Sequence, residues 1–282
     1  MTAVVLAGLL ALVGGPSCAP ARAASTDAKA SSSNAKPAST EADQRDTEQQ
    51  MGDQVYQELK AKGVIVARSP LYQLLEPIAV RITRAAQPRY EHPFRFYLVH
   101  EQQPNAFATP GGNVYVTDSL LFFVKNTEEL AGTICHEVAH TIHHDTMVLM
   151  EKRQRLAMRE LGAGVLLGPS LSHVLAIAAL GKLNSLGYSR DVESRADVTG
   201  SDICAGADYD PWGLVWLFTD FHEAQIGETP ELLSDHPDDE HRVRTLKEHF
   251  RSHPEVFARF DPEPASATPI HVPAETAETF VR

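Results

Sequence analysis

The chain has 282 residues, of which 43% are hydrophobic and 22% charged, and its formal net charge is −12. A chain of that length and composition can bury a sizeable core in one large globular domain or two small ones. The acidic balance argues against a nucleic-acid partner, and the absence of an internal repeat argues against a helical array.

Residues 1 to about 15 form an apolar run (Val4, Val5, Leu6, Leu9, Leu10, Leu12, Val13). It is short for a membrane span and suits the apolar core of a signal peptide, with Ala21-Arg22-Ala23 as a cleavage site and a leader over 1–23. The usual basic start is missing. Lipid attachment at Cys18 is the alternative, although Gly15-Pro16-Ser17 fits a lipid-attachment signal poorly. Export to a periplasm follows from either; the plainer reading of the run is an uncleaved N-terminal anchor. Residues 24–44, rich in Ser, Ala, Thr and Asp, read as a disordered tether, because they cannot bury enough apolar surface to offset chain entropy. A folded domain is expected over 45–255 and a loosely ordered tail over 256–282, where Pro, Ala, Thr and Glu dominate.

Within the domain, Met51, Val55 and Leu59 predict a helix over about 45–62, ended by Gly63. Val64-Ile65-Val66 is short and extended. Leu71, Leu74, Leu75, Ile78 and Ile82 predict a second helix over 69–86, with Pro77 at a kink or an early turn. Phe94 to Val99 is a strand candidate, Pro110-Gly111-Gly112 a turn, and Val114 to Thr117 a second short strand. Val114, Tyr115 and Val116 are candidates for accepting an extended peptide by strand addition; the plainer reading makes them a sheet edge and nothing more.

Next comes His136-Glu137-Val138-Ala139-His140, an H-E-x-x-H sequence. On a helix the two histidines lie one turn apart on one face, where two imidazoles can share a zinc ion. Glu137 beside them can take a proton from a water that the ion activates. The flanks are helical: Leu130, Ile134, Val138 and Ile142 draw an apolar stripe from which the histidines are displaced. Asn126 and Glu129 resemble a capping box, so a helix over about 127–149 is expected. The longer motif with a third histidine is not met, because positions 143 and 146 are His and Thr. Cys135 and Cys204 are not spaced as a Cys-type zinc site; a disulfide between them and two buried free thiols both fit the sequence.

Residues 161–186 are strongly apolar but interrupted by Pro169, Ser170, Ser172 and His173. They read as two short helical pieces, buried or lying on a membrane surface. Ser189 then caps another helix. On it Glu193 and Asp197 share one face, 53 and 57 residues after His140. Glu193 can complete a His/His/Glu site with one position open, and Asp197 can orient a ligand histidine. Arg190 and Arg195 can pair with these carboxylates. Alone, this stretch would read as an ordinary charged helix; the H-E-x-x-H partner changes the balance. Pro211 and Trp212 start a further helix with Leu214, Leu217, Phe218 and Phe221 on its core face, and Ser234-Asp235-His236-Pro237 leads into a last one carrying Val243, Leu246 and Phe250.

H-E-V-A-H followed by S-R-D-V-E-S-R-A-D resembles the HtpX-type gluzincins, which include the CAAX prenyl proteases and the Oma-type proteases. Asn105-Ala106-Phe107-Ala108, Pro110-Gly111-Gly112, His236-Pro237 and Arg242-Val243 also match recurrent elements of that family. The resemblance covers roughly 45–250 and is closest to a soluble, envelope-facing branch. It implies an α+β, mainly helical zincin-like metallopeptidase domain with a small β-sheet beside the H-E-x-x-H helix. It implies one Zn2+ per chain at His136, His140 and Glu193, a general base at Glu137, and support from Asp197. It also brings His236 near the cleft, where it would hydrogen-bond a tetrahedral intermediate or occupy the open zinc position; by itself His236 reads as an ordinary residue at a helix entry. Arg190 or Arg242 would assist a developing oxyanion.

The expected function is a zinc-dependent endopeptidase acting on unfolded or misassembled cell-envelope proteins, without nucleic acid and with 161–186 either buried or in contact with a membrane surface. The alternative is an envelope chaperone or assembly-binding module whose zinc site is structural or vestigial.

Overall fold

The computed structural model describes residues 41–149, 151–152, 188–223 and 239–273, with side chains from residue 47 onward. The leader, most of the tether, the 161–186 segment and His236 lie outside the described residues. Among the described residues no helix is long and apolar enough to cross a membrane.

The first helix, α1, runs Glu41–Ala61 and so starts inside the stretch expected to be tether. Gly63, in a left-handed conformation that costs glycine little, turns the chain out of it. α2 follows at Tyr72–Ala86, its core face made by Leu75, Ile78 and Ile82, with Pro77 in its second turn. Three strands form one sheet: β1 Arg95–Val99, β2 Ala106–Thr109 and β3 Asn113–Thr117. Their order is β1-β3-β2, with β3 parallel to β1 and antiparallel to β2. β2 is absent from the sequence reading, because four residues holding two alanines carry little strand signal beside the turn at 110–112.

This topology corrects the reading of Val114, Tyr115 and Val116 as an acceptor of extended peptide, and as a sheet edge. β3 is the central strand, every residue of it is buried, and both of its hydrogen-bonding sides are already paired. The outer side of β1 is also taken up: Val66 N–H donates to Leu98 O (2.9 Å) and His100 N–H to Val64 O (2.8 Å). The edge that faces the H-E-x-x-H helix is β2.

After the short α3 (Asp118–Phe123), α4 spans Thr127–Ile142. Its N-terminus has the first half of the expected capping box, Asn126 Oδ1 accepting from Glu129 N–H (2.9 Å), while the Glu129 carboxylate reaches one residue further back and accepts from Lys125 N–H (2.8 Å). Residues 129–141 are buried on all sides, not on one stripe, because α4 is the central rod of the domain. Against it pack α5 (Arg190–Gly206) and α6 (Trp212–Glu223). The α4–α5 approach is close enough that a Cβ at Gly200 would stand 3.0 Å from the His136 backbone nitrogen. α7 (Asp239–Ser252) and the single turn α8 (Pro254–Phe257) close a second cluster of Leu214, Phe218, Leu246, Phe250 and Phe257.

The expected loose tail is also corrected as far as residue 273. Phe257 is buried, the Trp216 indole donates to Pro262 O (2.8 Å), and Thr127 N–H donates to Thr268 O (2.9 Å). The segment therefore satisfies an orphan donor at the start of α4, which composition alone does not reveal.

Candidate metal centre

The reason α4 and α5 can build a site is their spacing. One turn separates His136 from His140, and one turn separates Glu193 from Asp197, so each helix offers a pair on the face it turns to the other. Ligand atoms of His136, His140 and Glu193 all lie within 4.8 Å of one another. The two Nε2 atoms are 3.0 Å apart, and Glu193 oxygens stand 3.3 Å from that of His136 and 3.5 Å from that of His140. All three residues are buried.

Each imidazole is held from behind. His136 Nδ1 is 2.9 Å from Asp197 Oδ1, and His140 Nδ1 is 3.0 Å from Asp145 Oδ2. A carboxylate at Nδ1 keeps the proton there and presents the Nε2 lone pair inward, the usual support for a metal-bound histidine. Asp145 reaches His140 because α4 stops at Ile142 and the chain turns at His143 and His144, the latter at φ 55°, before a short helical stretch resumes at 145–149. An unbroken helix to 149 would have carried Asp145 away from the ring of His140. Arg195 pairs with the other oxygen of Asp145, and the Tyr188 ring stacks on His140 at 4.2 Å.

Arg242 of α7, 2% exposed, reaches the same cluster. Its Nη2 and Nε donate to the two oxygens of Asp197 (2.6 and 2.8 Å), Nη1 lies 3.2 Å from Glu193, and the guanidinium sits 4.4 Å from the Phe218 ring centroid. Burial raises the Asp197 pKa, but the charge and hydrogen bonds of Arg242, with those of His136, outweigh it and hold the carboxyl at about 2. Burial pushes His140 down, and its bonds to Asp145 and Glu193 outweigh that, pulling it up to about 9 when no cation is present. Glu137 sits beside the donors with Oε2 accepting from Ala108 N–H of β2 (3.0 Å).

Of the residues singled out in the sequence, His136, Glu137, His140, Glu193 and Asp197 meet here. Arg190 opens α5 at an exposed position; Arg242 and Arg195 pair with site carboxylates. His143 and His144 turn elsewhere, to Thr199 and Glu48. Asp145, Tyr188 and the Ala108 amide were not foreseen. Only Asp145 left a trace, a carboxylate just past the two extra histidines. Cys135 and Cys204 pair as a disulfide with Cα atoms 5.9 Å apart, tying the helix of the histidines to the helix of Glu193. A buried His/His/Glu donor set with its imidazoles oriented from behind fits a divalent cation of the zinc class.

A small sheet over a helix that carries H-E-x-x-H, with a glutamate supplied from a following helix, defines a zincin-like metallopeptidase domain. Residues 71–250 match peptidase family M48, and the chain belongs to that family. It is 28% identical to the beta-barrel assembly-enhancing protease of Yersinia pestis over 219 residues, covering 71% of this chain and 44% of the relative. It is 28% identical to the protein of the same name from Escherichia coli K12, covering 69% and 42%. It is 29% identical to the mitochondrial metalloendopeptidase OMA1 of Schizosaccharomyces pombe, covering 55% and 46%. The chain thus spans less than half the length of these relatives.

Proposed function

We propose that this chain is a zinc-dependent endopeptidase that hydrolyses peptide bonds of unfolded or misassembled proteins in a bacterial cell envelope. One observation carries the reading: three buried donors converge next to a carboxylate, Glu137, that belongs to the same helix turn and is fixed by a strand amide. His136, His140 and Glu193 would hold the ion. Bound there, zinc would supply Lewis-acid activation of water and of the peptide carbonyl. Glu137 takes a proton from the attacking water as the new C–O bond forms, and returns a proton to the amine nitrogen as the C–N bond breaks. Asp197 and Asp145 keep both imidazoles in the tautomer that points Nε2 inward. An extended substrate pairs with the outer side of β2, taking over the Ala108 N–H that Glu137 Oε2 holds in the free chain, because that edge borders Glu137 while β3 and β1 are covered by other strands and backbone. The envelope setting draws support from the apolar run over residues 4–13 with Ala21-Arg22-Ala23 after it, a pattern suited to secretion, and from bacterial relatives named for beta-barrel assembly.

The test is Glu137→Gln. The variant should bind one zinc ion per chain, as the wild type does, and lose cleavage of an unfolded protein by at least about a hundredfold. Full activity in that variant rules out the mechanism. Capture of unfolded protein that is equal in both forms, with cleavage in neither, would favour the binding-module reading instead.

A further inference from the structure

The face of the sheet turned toward α1 carries a row of rings. Tyr97 of β1, Tyr115 of β3 and Phe107 of β2 are direct register partners. Their rings stack in sequence: Tyr97 to Tyr115 at 5.4 Å and 26°, Tyr115 to Phe107 at 4.9 Å and 17°. Tyr56 of α1 covers the β1 end of the row at 4.7 Å. Among the described residues no ring follows Phe107 at the other end, where its side chain is half-buried on the edge strand. The backbone there points the same way. Ala108 N–H is directed away from β3, to Glu137, so the polar groups of Ala106 and Ala108 line the side of β2 that borders the candidate metal centre.

Whichever way a peptide strand runs along β2, one of its side chains falls on the same face as Phe107 and directly beside it. That side chain becomes the next member of the row. A flat ring extends the stack; a small or branched aliphatic side chain leaves the Phe107 face incompletely covered. We propose that Phe107 is a specificity-determining residue that selects an aromatic side chain at the single substrate position paired beside it. The proposal rests on the peptidase reading and adds to it the chemistry of the preferred substrate: extended segments carrying Phe, Tyr or Trp close to the scissile bond.

The experiment uses the full zinc-loaded chain and a set of peptides of Ala, Ser and Gly in which one Phe is moved through every position around a fixed cleavage site. Cleavage is followed for the wild type, and equilibrium affinity is followed by fluorescence anisotropy for Glu137→Gln. One position should raise kcat/KM, chiefly through KM, and tighten Kd, each by about tenfold, the factor to which one added aromatic pair converts. Leu at that position should gain less. Phe107→Leu should lose the preference and Phe107→Tyr should keep it, a pattern that a general loss of folding cannot produce. Cleavage with no positional preference, or a preference that survives in Phe107→Leu, overturns the assignment of Phe107 and leaves the peptidase reading intact. Peptides neither cleaved by the wild type nor bound by Glu137→Gln overturn both.

Discussion

Replacing Arg242 by methionine isolates what holds the centre together before any ion arrives. Methionine keeps most of the apolar stem over Phe218 and removes the cation. Asp197 then loses two charge-assisted bonds, of 2.6 and 2.8 Å, and Glu193 loses a cation at 3.2 Å, while both carboxylates stay fully buried. Removing one partner of a buried ion pair costs about 3–5 kcal/mol. In a domain of this size that lowers the midpoint of thermal unfolding by roughly 10 °C at pH 7. The acid limb supplies a second signature. Asp197 has a folded pKa of about 2, below its unfolded value, so its contribution is present above roughly pH 4 and is lost as the pH falls through 2. The gap between wild type and variant should therefore narrow as the pH is lowered from 4 toward 2. The assay is circular dichroism melting of the metal-stripped protein across that range. An unfolding midpoint within about 2 °C of the wild type at pH 7 would refute the view that Arg242 neutralises this cluster.

Three further outcomes are expected. Reducing the Cys135–Cys204 disulfide, which bridges positions 69 residues apart, should cost up to about 4 kcal/mol through the entropy of the unfolded chain, read as a lower melting temperature in dithiothreitol; Cys204→Ser should melt like the reduced wild type and show no response to reductant. Glu129 is raised to about 7, mainly by burial, so the stability it contributes is full below its unfolded pKa of about 4.3 and disappears as the pH rises through 7. Glu129→Gln should flatten that decline in melting temperature between pH 4.5 and 7, and an unchanged slope would count against it. Asp145→Asn should weaken zinc binding by about 10–100-fold in competition with a chromophoric chelator, because His140 loses the anion at Nδ1; unchanged affinity would remove Asp145 from the support of the site.

What could be read from the sequence was whatever depends on helical periodicity. His136 with His140, and Glu193 with Asp197, are pairs one turn apart, and a helix fixes their relation without any knowledge of the rest of the fold. The flanking apolar positions and the Asn126/Glu129 cap fixed the start of α4 for the same reason. What stayed hidden depends on places where local rules are broken or on contacts between distant segments. Asp145 reaches His140 only because the helix breaks at 143–144, where His144 takes a left-handed conformation that the sequence does not demand. Arg242 stands 45 residues beyond Asp197, and nothing in the local pattern ranks it above Arg190. The role of β3 was misread because alternation identifies a strand but not its neighbours. Only the pairing with β1 and β2 shows that its edges are spent.

The charge content of the centre points to the same ion as its geometry. Four carboxylates, Glu137, Asp145, Glu193 and Asp197, are buried around the two histidines, and two guanidinium groups, Arg195 and Arg242, pair with three of them. Formally the cluster carries two uncompensated negative charges, a deficit of positive charge that a low-dielectric interior tolerates only with compensation. Without a cation the strain shows as a His140 driven to hold a proton, with its pKa near 9. A doubly charged ion would cancel the deficit and displace that proton. Gly200 lets α4 and α5 approach closely enough to gather the donors, and the Cys135–Cys204 bridge resists the separation that uncompensated carboxylates would otherwise drive. Gly200→Ala offers a way to weigh this: its Cβ would stand 3.0 Å from the His136 backbone nitrogen, so α4 and α5 must part by a few tenths of an ångström, and zinc affinity in the chelator competition should fall; unchanged affinity would count against the tight contact as a support of the donor set.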